Sequence, residues 1–161
     1  MTTTADSGST FRAVVTNTAG TVTSAAATLT VNAAPVAPTI TTAPVNQTVT
    51  AGQTASFAVV AAGTAPLSYQ WQKNGANIAG ATAASYTTPV TTTADSGSTF
   101  RAVVTNTAGT VTSAAATLTV NAAPVAPTIT TAPVNQTVTA GQTASFTVVA
   151  AGTAPLSYQW Q

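Results

Sequence analysis

The chain has 161 residues with 3 basic and 2 acidic side chains, a formal net charge of +1. That balance leaves no electrostatic footprint for nucleic acid or an anionic membrane surface. Cysteine is absent, so no disulfide framework is available, and no apolar run approaches the ~20 residues that span a bilayer.

Residues 2–72 return at 91–161, shifted by 89 positions, with Ala58 replaced by Thr147 as the single change. Self-similarity at that period marks an array of a domain-sized unit. Thr, Val and Ala dominate, Glu and His are missing, and no helical apolar stripe appears. An all-β fold is expected. The phase of the repeat divides the chain into five parts. Residues 1–33 are the end of one unit, holding its last two strands, and 34–37 are a linker. Residues 38–121 are a complete unit, 122–126 a second linker, and 127–161 the start of another unit with its first three strands. Met1 stands where the next copy has Val90. The chain reads as an excerpt of a longer array.

Within the complete unit, Pro38-Thr-Ile-Thr and Thr48-Val-Thr predict a broken first strand, with Pro44 at the break. Ala55–Ala61 follows as a strand with Ala55, Phe57, Val59 and Ala61 on one face. After the Gly63–Pro66 loop, Tyr69 and Trp71 share a face of the next strand. Asn74-Gly75 is a hairpin signal. Ile78 and Ser85-Tyr86-Thr87 come next, and Asp95-Ser-Gly97 turns into Thr99–Thr105 with Phe100, Ala102 and Val104 inward. Asn106–Gly109 reads as a further hairpin turn before Val111 and the last strand, Ala116–Val120, which carries Leu118. About seven strands with frequent turns describe an antiparallel sandwich. The expected core is Phe57, Val59, Tyr69, Trp71, Phe100, Ala102 and Leu118.

The succession Pro-x-Ile, Gly-Gln-x-Ala-x-Phe, Tyr-Gln-Trp-x-Lys-Asn-Gly, Ala-Asp-x-Gly, Val-x-Asn-x-Ala-Gly and Ala-x-Leu-x-Val resembles an immunoglobulin-like domain. It is most similar to the cysteine-free tandem versions in large bacterial surface and secreted proteins. The resemblance covers every unit and implies a Greek-key sandwich with Trp71 as its buried tryptophan. Val59 and Ala102 stand where the family's inter-sheet disulfide would be, and Phe100 where a tyrosine corner would supply a hydroxyl. Apolar packing of Trp71, Phe57 and Phe100 is expected to replace both.

Chemistry has little to work with. General acid–base catalysis needs a tuned carboxylate pair or a histidine, and the two aspartates, Asp6 and Asp95, occupy equivalent positions a unit apart. Asp95 is expected to accept backbone hydrogen bonds in its turn. One acid per unit is too few for zinc or calcium, and no base is available to activate a Ser or Thr. No catalytic residue, metal or cofactor is expected. A Lys–Asn amide crosslink needs a buried acid beside the lysine, and Lys73 is expected to be solvated next to its turn. The aromatic side chains fall on inward positions, which argues against a sugar-stacking platform. Asn46-Gln-Thr48 and Asn135-Gln-Thr137 are N-glycosylation sequons, so Asn46 and Asn135 are candidate acceptors.

The linkers at Asn32–Pro38 and Asn121–Pro127 are short and proline-bearing, which favours extended, semi-stiff connections. The expected role is structural: a non-enzymatic repeat of an extracellular, cell-surface fibre, adhesin stalk or sheath. The expected partner is the chain itself, by head-to-tail continuation or strand complementation and lateral packing, with surface glycans as a further candidate. Neither nucleic acid nor membrane insertion is expected. The alternatives are a carbohydrate-binding or spacer module of a secreted enzyme, and a phage tail decoration domain.

Overall fold

Period-two alternation of apolar and polar residues sets two sheets face to face between residues 38 and 121. In the computed structural model, which describes all 161 residues, this span is preceded by β1 (Thr10–Phe11), β2 (Val14–Asn17), β3 (Gly20–Thr23) and β4 (Ala27–Thr28). The span itself contributes β5 (Thr39–Thr42), β6 (Gln47–Thr50), β7 (Ser56–Ala58), β8 (Val60–Ala62) and β9 (Ser68–Lys73). It continues with β10 (Ala76–Asn77), β11 (Ser85–Thr87), β12 (Thr99–Asn106), β13 (Gly109–Thr112) and β14 (Ala116–Asn121). After it come β15 (Thr128–Thr131) and β16 (Val149–Ala151).

One sheet runs β10-β9-β12-β14-β6, with β13 also on β12. The facing layer is built from the antiparallel pairs β5–β8 and β7–β11. The first strand is broken as the prolines imply: β5 belongs to one layer, Pro44 is buried at the crossing, and β6 joins the other. There β6 pairs with β14 in parallel, a departure from an all-antiparallel sandwich. The strand expected over Ala55–Ala61 is two pieces, β7 and β8, with Val59 between them donating its N–H to Ala84 O.

Six of the seven residues expected in the core are buried, and Tyr69 is not. Trp71, Ala102 and Leu118 are fully buried, Phe57 and Phe100 are 1% exposed and Val59 3%. Tyr69 and Tyr86 are half-buried and pack on its margin. Ala102 lies opposite Trp71 in the β9–β12 register, so a small residue makes room for the indole. Phe57 and Phe100 stack with ring centroids 4.5 Å apart, and Trp71 Nε1 donates to Ala83 O at 3.0 Å. Without a disulfide or a tyrosine hydroxyl, the two sheets are held by aromatic contact. At about 25 cal/mol per Å2 over ~150–250 Å2, each of these rings contributes about 4–6 kcal/mol before the cost of ordering it.

Backbone groups in the interior are met by short hydroxyl side chains. Ser113 Oγ accepts from Ala102 N–H at 3.0 Å and donates to Ala114 O at 2.8 Å, bridging the point where β13 ends and β14 has not begun. Thr88 Oγ1 accepts from Ala55 N–H in the same manner. At the tip of the β9–β10 hairpin, Asn74 and Gly75 both take positive φ, 50° and 86°, the two-residue turn that Asn-Gly favours.

Candidate functional site

The strongest charge constellation lies at one edge of the sandwich. Lys73, the last residue of β9, extends its ammonium to Asp95 Oδ1 at 2.8 Å and sits 6.0 Å from the centre of the Phe100 ring. The same carboxylate accepts from Thr92 N–H at 3.0 Å and Thr92 Oγ1 at 3.1 Å, capping the 3-10 turn Thr93–Asp95. Lys73 keeps 40% of its side chain in solvent, as expected, and is ion-paired there as well, which the sequence did not show. The hairpin tip delivers Lys73 to the turn that launches β12, a juxtaposition visible only in three dimensions.

This pair is a latch. Hydrogen bonding from Lys73, then from the Thr92 backbone and hydroxyl, lowers the Asp95 pKa from 3.8 to about 2. A carboxylate held ionised by three hydrogen bonds has no proton to donate and is a weak base. The neighbouring cavity, lined by Lys73, Tyr86, Thr91, Asp95 and Phe100 among others, encloses about 100 Å3. That is well below the roughly 300 Å3 at which ligand pockets begin. Asp6, the equivalent acid, has its pKa lowered by the backbone and side chain of Thr3.

A second constellation gathers at the pole where the chain enters the complete unit. Asn106, at the β12–β13 turn, donates through Nδ2 to Val36 O at 2.7 Å and to Thr64 O at 2.9 Å. Its Oδ1 accepts from Ala108 and Gly109 N–H at 2.9 and 3.1 Å. Both donors and both lone-pair sites of the amide are thereby used. Thr64 closes the arrangement: its N–H donates to Val36 O at 3.0 Å and its hydroxyl accepts from Val36 N–H at 2.8 Å. Gly63 is required beside it, because a Cβ there would meet Pro38 Cα at 3.0 Å and its φ is +152°. Val36, in the segment expected to be a linker, is thus tied to two loops of the unit that follows.

The valine–threonine half of the arrangement recurs. Val125 N–H donates to Thr153 Oγ1 at 2.7 Å and Thr153 N–H donates to Val125 O at 3.0 Å. The turn at Asn106–Gly109 was legible in the sequence, but its grip on Val36 was not. The recurring Val, Gly-Thr and Asn-x-x-Gly elements are the only signal that pointed to it.

The sequon residue Asn46 also has a structural task. Its Oδ1 accepts from Thr117 N–H at 2.8 Å, joining the start of β6 to β14, while its side chain stays on the exposed surface. Asn135 is likewise exposed. No helix of the chain is long and apolar enough to cross a membrane.

A two-layer sandwich with a buried tryptophan, a split first strand and a parallel closing pair defines the class: an immunoglobulin-like domain, of the kind that serves as a structural module. The family model described as the immunoglobulin I-set domain matches residues 38–120, and the chain belongs to that family. Among solved structures, the titin domains z1z2 in complex with telethonin match at 26% identity and TM-score 0.51, covering 75% of this chain and 64% of that one. Sidekick-1 immunoglobulin domains 1–4 match at 26% identity and TM-score 0.50, covering 82% of this chain and 38% of that one. The titin fragment I67–I69, an E-to-A variant, matches at 24% identity and TM-score 0.50 over 62% of this chain. This chain spans 37% of that fragment's length. No curated protein matches.

Proposed function

We propose that this chain is a segment of a semi-stiff spacer, a string of identical I-set units serving as the stalk, fibre or sheath of a surface structure outside the cell. The observation that carries the reading is the tie of Val36 to Thr64 and Asn106, repeated between Val125 and Thr153. A linker anchored by hydrogen bonds leaves only residues 32–35 free to bend, so units keep a preferred axis. Near-identical copies and a surface almost without charge suit a part whose job is length and close packing. The bacterial tandem proteins that the sequence resembles favour an origin of that kind.

A carbohydrate-binding role is disfavoured by the placement of the complete unit's aromatic rings in its core or on the core margin. Small-angle scattering on an array of four units joined by the native linker tests the spacer reading. The maximum dimension should grow by about 35–40 Å per unit, at ~3.3 Å per strand residue. Asn106→Ala in every unit should shorten it. An array as compact as flexibly joined beads, unchanged by that substitution, would sink the reading. Protease shaving of intact source cells tests the location: loss of the repeat from the cell surface is expected.

A further inference from the structure

The outer face of the layer built from β5–β8 and β7–β11 differs from the rest of the complete unit's surface. Alternation turns Phe57 and Val59 into the core and sets Ser56, Ala58, Val60 and Ala62 outward along one line. Ser85 and Thr87 of β11 lie opposite Ala58 and Ser56 on one side, and the threonines of β5 flank the line on the other. Each of these side chains is exposed, uncharged and no larger than valine, and Val60 is 54% exposed. The charged side chains of the unit lie elsewhere. Arg101 extends along β12 with its Nε on Gln72, and Lys73 pairs with Asp95 beyond the end of β9.

We propose that a second copy of the repeat array docks on this face, the same face meeting itself, so that arrays associate side by side. Three observations name that occupant. Charge does not oppose the contact, because the unit's one unbalanced charge, on Arg101, sits on the other sheet. Small outward side chains let two sheets stack at the ~10 Å spacing of packed sheets. The face also returns with the repeat: Ser145, Thr147, Val149 and Ala151 stand 89 positions after Ser56, Ala58, Val60 and Ala62. A partner that covers every unit must share that spacing, and a second copy does. The one altered position, Ala58 against Thr147, lies on this face and stays small and uncharged. Area sets the strength. Residues 56–62 span about 23 Å and the flanking strands add ~10–14 Å of width, so one matched pair of units buries about 500–600 Å2. Stable interfaces begin at roughly 1,200 Å2, so two matched units are marginal and four exceed it. The contact is therefore multivalent, weak per unit and tighter as the array lengthens. The inference uses the array of the proposed spacer but not its stiffness or location. Scattering at low concentration reports shape and sedimentation reports association, so either can fail alone.

The test is sedimentation velocity of two-unit and four-unit arrays joined by the native linker. At equal unit concentration the four-unit array should associate at least tenfold more tightly. Raising salt from about 0.05 to about 0.5 M should leave its association unchanged, since no ion pair takes part. Ala58→Lys in every unit should abolish association, and Val60→Lys should do the same. Thr119→Lys puts the same charge on the exposed outer side of β14 and should not. Arrays carrying Ala58→Lys and Ala58→Glu, each monomeric alone, should associate when mixed. Melting temperatures close to the parent's establish that the variants are folded. A four-unit array that stays monomeric to about 1 mM would overturn the proposal and leave the face to another occupant. So would equal affinity of the two array lengths, or loss of association in Thr119→Lys. Association that survives both Ala58→Lys and Val60→Lys, or a charge-swapped mixture that stays monomeric, would overturn it as well.

Discussion

One sequence appears here in two settings, paired within residues 38–121 and unpaired in the flanking segments, and it does not form the same strands in both. Thr99–Asn106 is one continuous eight-residue strand, whereas its copy breaks into β1 and β2 at Arg12-Ala13. The break falls where β9 would pair, although Ala13 N–H keeps the bond to Ser24 Oγ that Ala102 N–H makes to Ser113 Oγ. β14 runs for six residues, Leu118–Asn121 of them against β6, while its copy β4 keeps only the two that pair with β1. Of the three strands expected in 127–161, only the edge pair β15–β16 forms, and the counterparts of β6, β7 and β9 form none. The hairpin β2–β3 survives in full, with the register of β12–β13. Local turns carry their own strands, and central strands need a neighbour.

The largest expected contrast is in the aromatic core. Trp71→Ala or Phe100→Ala should cost about 3–5 kcal/mol and unfold a unit of this size, by cavity formation in a packed interior. In dilute solution the matching Trp160→Ala and Phe11→Ala should stay within about 0.5 kcal/mol, as exposed substitutions do. Urea denaturation followed by far-UV circular dichroism measures both. Equal effects would mean that the flanking segments share the folding transition and would break the comparison.

A smaller contrast is expected at the bridging hydroxyls. Ser113→Ala leaves Ala102 N–H buried beside Trp71 without a partner and should cost about 1–3 kcal/mol. Ser24→Ala performs the same deletion where water can replace the hydroxyl, and its midpoint shift should be near zero. Amide hydrogen exchange at Ala102 and Ala13 gives the residue-level readout.

The least perturbing lever is pH. Because the folded-state pKa of Asp95 is depressed from 3.8 to about 2, its contribution is present above the unfolded value and is lost as pH falls through the folded one. The melting temperature of the complete unit should hold steady down to about pH 5 and fall between there and about pH 2. Asp95→Asn should lower it at neutral pH and flatten that fall. Asp6, outside the complete unit, should leave this melt unchanged when replaced by Asn.

Much of the fold was legible because alternation and turn chemistry are local. The inward set Phe57, Trp71, Phe100, Ala102 and Leu118 follows from period-two spacing, and Asn74-Gly75 and Asn106–Gly109 follow from residues that tolerate tight turns. What escaped is long-range. Nothing near Lys73 in the sequence names Asp95, which lies 22 residues on, and nothing near Val36 names Asn106, 70 residues away. Similarly, the parallel registration of β6 on β14 could not be read from either strand.

By itself, then, the sequence determined the repeat, the all-β class, the immunoglobulin-like pattern and which side chains turn inward, because each is written in short-range spacing. Only the tertiary structure decided which of those strands exist and what ties a linker to its unit. A strand's hydrogen bonds and a buried ring's contacts are supplied by residues distant in the chain. Identical segments therefore differ when those residues are absent.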